Sequence, residues 1–260
     1  MTDGGSYTLP HDLPGESERL TLMSEMLDPQ LFFRLTQIGV TEGWRCLEVG
    51  AGNGSVSRWL SGQVGPTGSV VTSDIDIDLL QRIDASNVTV RRIDATRDDL
   101  GSDYDLVVAR AILHHLPERA AVLARLATAV RPGGCIVLEE PDFHPVLATD
   151  SSTLREFWEG WLVWADRHQI DYFVGRKIPG MLVAQGLDDV RAYGETILYR
   201  GGSLTARYLE ATMRELEGSL RDSGYIADSV WTDAMKLFRN DTFWSWQNSY
   251  VTSVGRKPHA

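Results

Sequence analysis

The stretch Trp44–Leu60, WRCLEVGAGNGSVSRWL, decides how the rest of the chain is read. It opens on an apolar, strand-like run at Trp44, Cys46, Leu47 and Val49. It passes through Gly50, Gly52 and Gly54, then places Val56, Trp59 and Leu60 at helical spacing. Strand, glycine turn, helix is the reading. Glycine serves where the backbone turns sharply or approaches a ligand, and the free N–H groups of a helix start lie just beyond. A nucleotide-like cofactor is therefore expected across this turn, although such a turn can also merely join a strand to a helix.

The glycine spacing narrows the choice. The dinucleotide fingerprint is G-x-G-x-x-G, whereas here an acid closes the strand and the third glycine arrives one residue early, as Glu48-x-Gly50-x-Gly52-x-Gly54. This pattern resembles the first motif of class I S-adenosylmethionine (SAM)-dependent methyltransferases. Working outward, Ser69–Asp74 reads as a second buried strand ending in an acid, about twenty residues past the turn, where a carboxylate can accept from both ribose hydroxyls. Asp76 is its competitor, and Asp78 is expected in the first turn of a following helix. Ile75 and Ile77 are candidates for the adenine face or for the core. A third strand, Val88–Ile93, runs into Asp94-Ala95, and in the family this position reads adenine.

The fourth strand, Tyr104–Ala109, continues into Arg110-Ala111-Ile112-Leu113-His114-His115-Leu116-Pro117. YDLVVARAILHHLP is similar to the family's fourth motif, which implies that its start, Arg110 included, lines the methionine end of the cofactor. Pro117 is expected to open a helix with Leu123, Leu126 and Val130 buried. Arg131-Pro132-Gly133-Gly134 should end it and lead into strand five, Cys135–Glu140. The resemblance covers residues 40–140 strongly and the rest in outline. It implies SAM as cofactor, with Glu48, Gly50, Ala51, Gly52, Gly54, Asp74, Ile75, Asp94, Ala95 and Arg110 around it.

Upstream, residues 1–15 read as a loose arm, and residues 16–38 as two helical pieces broken at Pro29. Tyr7–Leu20, with Glu18-Arg19-Leu20, resembles the arm that folds over the cofactor in many small-molecule methyltransferases; a helix start with solvated charges is the competing reading. Downstream, residues 141–174 form an insertion with Leu154, Phe157, Trp158, Trp161 and Leu162 on one helical face. That face is either a lid over an apolar or aromatic substrate or a packing surface for the domain or a second subunit. A helix is expected over Gly175–Gly186 and a sixth strand over Val190–Tyr199. A long helix through Leu204, Tyr208, Leu209, Met213, Leu216 and Leu220 and a shorter one through Trp231, Leu237 and Phe238 follow, with a last strand over Phe243–Val254.

The expected fold is α/β: a doubly wound, mainly parallel seven-stranded sheet of the Rossmann-like methyltransferase type with helical lid insertions. Its segments are 1–39, an N-terminal arm and helices; 40–140, the SAM-binding core; 141–174, the lid; and 175–260, the remaining sheet with a helical insertion at 203–240. The ligand belongs at the carboxyl ends of the strands.

The implied chemistry is in-line displacement of a methyl group from a sulfonium, in which the protein mainly positions the reactants and removes water. A base helps if the acceptor is a phenol or amine. His114, His115 and His144 are the candidate catalytic residues, with His168 a further histidine. Each has a structural reading as loop support or surface, and Glu140 and Asp142 either orient a substrate hydroxyl or cap a turn.

The 260 residues carry a net charge of −11, which argues against a polyanionic partner such as nucleic acid. No apolar run reaches membrane-spanning length and no signal-peptide core is evident, so a cytoplasmic protein is expected. The two cysteines, Cys46 and Cys135, read as core residues, and no metal is expected. The absence of N/D-P-P-Y after strand four, with the acidic charge, favours a small organic acceptor, first an O-methylation in specialised metabolism; N- and C-methylation, and a homodimer, stay open. Two alternatives remain: a SAM-binding protein that does not methylate, and a nicotinamide-dependent oxidoreductase. The second lacks the Tyr-x-x-x-Lys pair of the short-chain class.

Overall fold

The structure is a computed structural model, and it describes residues 15–259. Seven strands form the main sheet: β1 (Arg45–Val49), β2 (Ser69–Asp74), β3 (Val88–Arg92), β4 (Tyr104–Arg110), β5 (Val130–Asp142), β6 (Asp188–Glu195) and β9 (Ser249–Arg256), in the order β3-β2-β1-β4-β5-β9-β6. All neighbours pair in parallel except β9, which runs antiparallel to both β5 and β6. The chain order reverses beside β1, between β2 and β4. That is the switch point at which open α/β sheets bind ligands beyond their strand ends.

Alternation along the central strands produces the two covered faces expected of a parallel sheet. Leu47, Val107, Ile136 and Leu138 point to one face, packed by α3 (Arg119–Ala129) and α5 (Ile178–Ala184). Cys46, Val70, Leu106 and Val137 point to the other, packed by α2 (Ser55–Val64) and the second half of α1 (Glu16–Gln37), with Leu31 and Leu35 fully buried. Both cysteines are free and buried there.

A separate hydrophobic cluster forms a cap from α4 (Ser152–Arg167), α6 (Leu204–Asp222) and α7 (Asp228–Arg239). Trp158, Trp161, Trp164, Phe157 and Phe238 are all buried in it, and Trp158 meets Phe143 edge to face at 5.7 Å. The first half of α1 packs into this cap through Leu22, Met23 and Met26. Helix α1 thus joins the cap to the sheet.

Several local expectations are corrected. Pro29 does not break α1, which is one helix from Glu16 to Gln37. The lost bond would have run from an N–H at position 29 to the carbonyl of Glu25, which is exposed like Pro29 itself, while buried leucines on both sides hold the axis. Between β2 and β3 there is only a 3-10 turn at Leu80–Arg82, so Asp78 heads no α-helix. Pro117 lies before α3, which starts at Arg119 after a 3-10 turn at Leu113–His115. The Arg131–Gly134 segment is part of β5, whose pairing with β4 shifts register between Tyr104 and Leu106. The helix expected over Gly175–Gly186 is a 3-10 turn followed by the short α5. Both final strands divide. β7 (Leu198–Arg200) pairs with β8 (Trp244–Trp246) in a two-stranded ribbon apart from the main sheet. Residues 1–14 of the expected arm, Tyr7 included, lie outside the described residues.

Candidate active site

The carboxyl ends of β1 to β5 open on a cavity of about 830 Å³, toward the upper end of the roughly 300–1,000 Å³ range of small-molecule sites. At one end is the glycine turn. Gly50, Gly52 and Gly54 have φ of +68°, +56° and +76°, the left-handed region that side chains resist. A Cβ on Gly50 would stand 2.2 Å from Ile112 Cδ1, so the turn and the loop after β4 close on each other only because that atom is missing. Asp74 ends β2 against this turn, and its Oδ2 accepts the Gly52 N–H at 2.8 Å. Ile75 is 40% exposed at the cavity wall, which removes it from the core.

Beneath the turn lies a group of charges. Glu48 is buried and accepts the hydroxyl of Ser57; burial pushes its carboxyl up to about 7 against that bond and the charge of Arg110. The Arg110 side chain donates to Asp28 at 2.6 Å and to Ser55 Oγ at 3.2 Å, tying β4 to α1. Ser24 and Leu20 of α1 also hold Asn53 of the turn, at 3.1 and 3.2 Å. Asp94 lines the cavity at the end of β3. Its carboxylate accepts the Thr96 N–H at 2.9 Å and hydroxyl at 2.6 Å and pairs with Arg97 at 3.1 Å. Burial acts to raise its pKa, but those partners prevail and hold it below the usual carboxylate value.

At the other end, Glu140 organises the loop after β4. Its fully buried carboxylate accepts the backbone N–H groups of Ile112, Leu113 and His114 at 2.9, 2.8 and 3.2 Å, and His114 Nδ1 lies 2.8 Å from Oε2. Burial pushes Glu140 up to about 7 against these bonds, and burial, with Arg119 and Arg19, pushes His114 down to about 3. His114 is therefore neutral, and with Glu140 ionised the imidazole proton belongs on Nδ1, facing the carboxylate, which leaves Nε2 unprotonated. Ala111, at φ +55°, takes the left-handed conformation at the start of this loop, a strained position for alanine at a ligand wall.

The candidate histidines separate. His114 and His115 are buried in the cavity wall with rings 3.8 Å apart, and burial, His114 and Arg19 hold His115 well below its ordinary pKa. His144 is exposed and outside the cavity lining, its N–H given to Asp142 at 3.0 Å; the expectation of a catalytic His144 has no support in this placement. His168 is exposed as well. Asp142 is held by Arg176 at 2.5 Å. Glu48, Gly50, Ala51, Gly52, Asp74, Ile75, Asp94, Ala95 and Arg110 all line the cavity; Gly54 does not, and instead starts α2, where a Cβ would meet Ile83 at 2.7 Å. Sequence reading missed the roles of Phe143, Tyr172, Asn248 and Met23 in the wall. It placed Tyr208 and Tyr250 only as helix and strand markers.

Residues 18–192 match the sequence profile of a family described as a methyltransferase domain. The chain belongs to that family. SAM is its cofactor, and the glycine cradle, with the acid of Asp74 against it, fits that group. Among curated relatives, a ubiquinone/menaquinone biosynthesis C-methyltransferase, UbiE, of Cupriavidus taiwanensis is 30% identical over 115 residues, 42% of this chain and 47% of that protein. The highly reducing polyketide synthase Preu5 of Preussia isomera is 31% identical over 78 residues, 28% of this chain and 3% of that protein. The chain spans half or less of the length of both. Solved structures share the fold. The YcgJ protein of Bacillus subtilis has a TM-score of 0.57 at 13% identity, over 87% of this chain and 97% of that one. Phosphoethanolamine N-methyltransferase 2 of Haemonchus contortus, in complex with phosphomonomethylethanolamine and S-adenosylhomocysteine, has a TM-score of 0.54 at 17% identity, over 93% of this chain and 52% of that one. Among the described residues no helix is long and apolar enough to cross a membrane.

Proposed function

We propose that this protein transfers the methyl group of SAM to a hydroxyl oxygen of a small apolar or aromatic acceptor, in specialised metabolism. The observation that carries the reading is His114: neutral, with Nδ1 fixed on Glu140 and Nε2 without a protein partner among the described residues, in the wall of the cavity. When bound, SAM supplies a methyl group on a positively charged sulfur leaving group. Backbone groups at Gly50, Ala51 and Gly52 would hold its amino-acid end with Glu48 and Arg110 beneath, Asp74 its ribose, and Ile75, Asp94 and Ala95 its adenine. His114 Nε2 takes the acceptor's hydroxyl proton as the oxygen becomes nucleophilic, while Nδ1 passes its own proton to Glu140, whose carboxyl is raised to about 7, so that no buried imidazolium has to persist. Phe143, Trp161 and Tyr172 exclude water and hold the acceptor's flat face.

The same base would serve attack by a phenol ring carbon, and the similarity to proteins named C-methyltransferases supports that as a second reading. Incubation with methyl-labelled SAM and a phenol panel, with the methylated atom located by mass spectrometry and NMR, separates the two. His114→Ala is expected to lower kcat by about 10²–10⁴ with SAM affinity retained. The kcat profile should rise with pH through about 7 as the His114–Glu140 pair loses the proton that blocks its base form. SAM binding with no methylation of any acceptor would favour a cofactor-binding protein that does not methylate. Labelled O-methyl product at an undiminished rate in His114→Ala would remove the base.

A further inference from the structure

The acceptor end of the cavity contains hydrogen-bond donors that the protein leaves unspent. Tyr208 of α6 and Tyr250 of β9 both line it, and their hydroxyls lie 3.1 Å apart. Two phenols bring two O–H donors, and the contact between them uses one. Burial, reinforced by Tyr208, holds the Tyr250 hydroxyl far above its ordinary pKa, and the Asn248 amide bonds to it without changing that direction. The Tyr250 proton therefore stays in place, and among the described residues the Tyr208–Tyr250 contact leaves one O–H of the pair without an acceptor. Trp161 also lines the cavity, and its buried Nε1 has no acceptor. Among the described residues His114 Nε2 is an acceptor at this end without a protein partner. Tyr172 joins these groups, its ring 5.4 Å from His114, 5.7 Å from Trp161 and 4.3 Å from Phe143.

The charges add a second restriction. Arg19 reaches the wall but is already held by Glu16 at 2.7 Å and Glu215 at 2.9 Å, two carboxylates on one guanidinium. Arg110 and Arg97 are paired with Asp28 and Asp94. Arg92 also lines the cavity, but at the far end beside Ile75, whose carbonyl accepts from its side chain. At the acceptor end a phosphate or carboxylate would find no unpaired cation among the described residues, whereas a neutral oxygen that accepts a hydrogen bond would satisfy buried donors whose isolation is costly.

We infer that the acceptor is an uncharged aromatic compound with an ionisable hydroxyl at the methylated end and a carbonyl oxygen, of ketone or quinone type, received by the Tyr208–Tyr250 pair and Trp161. The inference rests on the methyl-transfer reading above and adds the second pole.

Three naphthols that differ only at position 6 test it: 6-acetyl-2-naphthol, 6-ethyl-2-naphthol and 6-hydroxy-2-naphthoic acid. Each is titrated calorimetrically into the full chain saturated with S-adenosylhomocysteine. The acetyl compound is expected to bind about tenfold more tightly than the ethyl compound, and the acid most weakly. Because either tyrosine alone keeps a free proton, Tyr208→Phe and Tyr250→Phe should each retain part of the acetyl preference, and the double variant should reduce it to about twofold or less. Trp161→Phe, which keeps a ring and removes the N–H, gives an independent reduction should the double variant fail to fold. An acid that binds as tightly as the ketone, an acetyl-to-ethyl ratio unmoved in these variants, or no binding of any naphthol to the S-adenosylhomocysteine complex would overturn the inference. Failure of S-adenosylhomocysteine itself to bind would instead overturn the methyl-transfer reading.

Discussion

The two ends of the cavity are built on different principles. At the cofactor end the wall is largely backbone: Gly50 and Gly52 in left-handed conformations, with Asp74 accepting the Gly52 N–H at 2.8 Å. At the acceptor end the wall is side chains, brought from α1, α4 and α6 by a cap with its own hydrophobic cluster and from β9 of the sheet. A backbone wall demands particular residues at fixed spacing. A side-chain wall demands only shape and donors, which many sequences can supply.

This contrast can be broken at either end. The largest effect is expected from Trp158→Ala, because Trp158 is fully buried in the cap and stacks edge to face on Phe143, Phe157 and Trp161. A loss of about 3–5 kcal/mol should appear in denaturant unfolding. Hydrogen exchange should locate the loss mainly in α4, α6, α7 and the first half of α1, with β1–β5 still protected. Uniform loss of protection would mean that cap and sheet are one cooperative unit.

Gly50→Ala should be milder for the fold and severe for the cofactor. A methyl group 2.2 Å from Ile112 Cδ1 at φ +68° forces the turn or the loop to move, at about 1–3 kcal/mol for the backbone alone. SAM affinity is expected to fall about a hundredfold, with partial recovery in Gly50→Ala/Ile112→Ala measured by calorimetry. Recovery to full affinity would show that the φ requirement is unimportant and only the contact matters.

The buried Glu48 sharpens the contrast through pH. Its carboxyl is raised from 4.5 to about 7, so the folded protein holds a proton there that the unfolded chain releases. Stability from this group is present below 4.5 and is lost as pH rises through about 7. Glu48→Gln has no such loss. Its unfolding free energy relative to wild type should therefore be more favourable at pH 8 than at pH 4.5, by an amount bounded at about 3 kcal/mol. An equal offset at both pH values would contradict the burial of this group. The smallest effect is expected for Trp244→Ser on the β7–β8 ribbon, where the ring is 58% exposed. Stability should change by no more than about 0.5 kcal/mol, and SAM binding should not change.

The same contrast explains what was legible in the sequence. The order of β1 to β5, the glycine turn and the acids at Glu48, Asp74 and Asp94 follow from local pattern, because each element closes within a short stretch. Pro29 misled because its cost depends on what surrounds it, and here the lost bond faces water. The final strand misled for a related reason. Trp244, Trp246 and Tyr250 alternate as if on one strand, but buried Gln247 and Asn248 interrupt it, leaving the tryptophans on the ribbon and Tyr250 in the cavity. His144 sits close to Glu140 in sequence, yet the chain turns outward after Phe143 and takes it to solvent. Pairing of Tyr208 with Tyr250 across 42 residues has no sequence signal.

The most direct test of the central claim is calorimetric titration of the protein with SAM and, separately, with NAD(H), repeated on Asp74→Ala. The account predicts saturable SAM binding that weakens by about tenfold or more when the carboxylate against the glycine turn is removed, and no NAD(H) binding. No SAM binding, or SAM binding indifferent to Asp74, would contradict it.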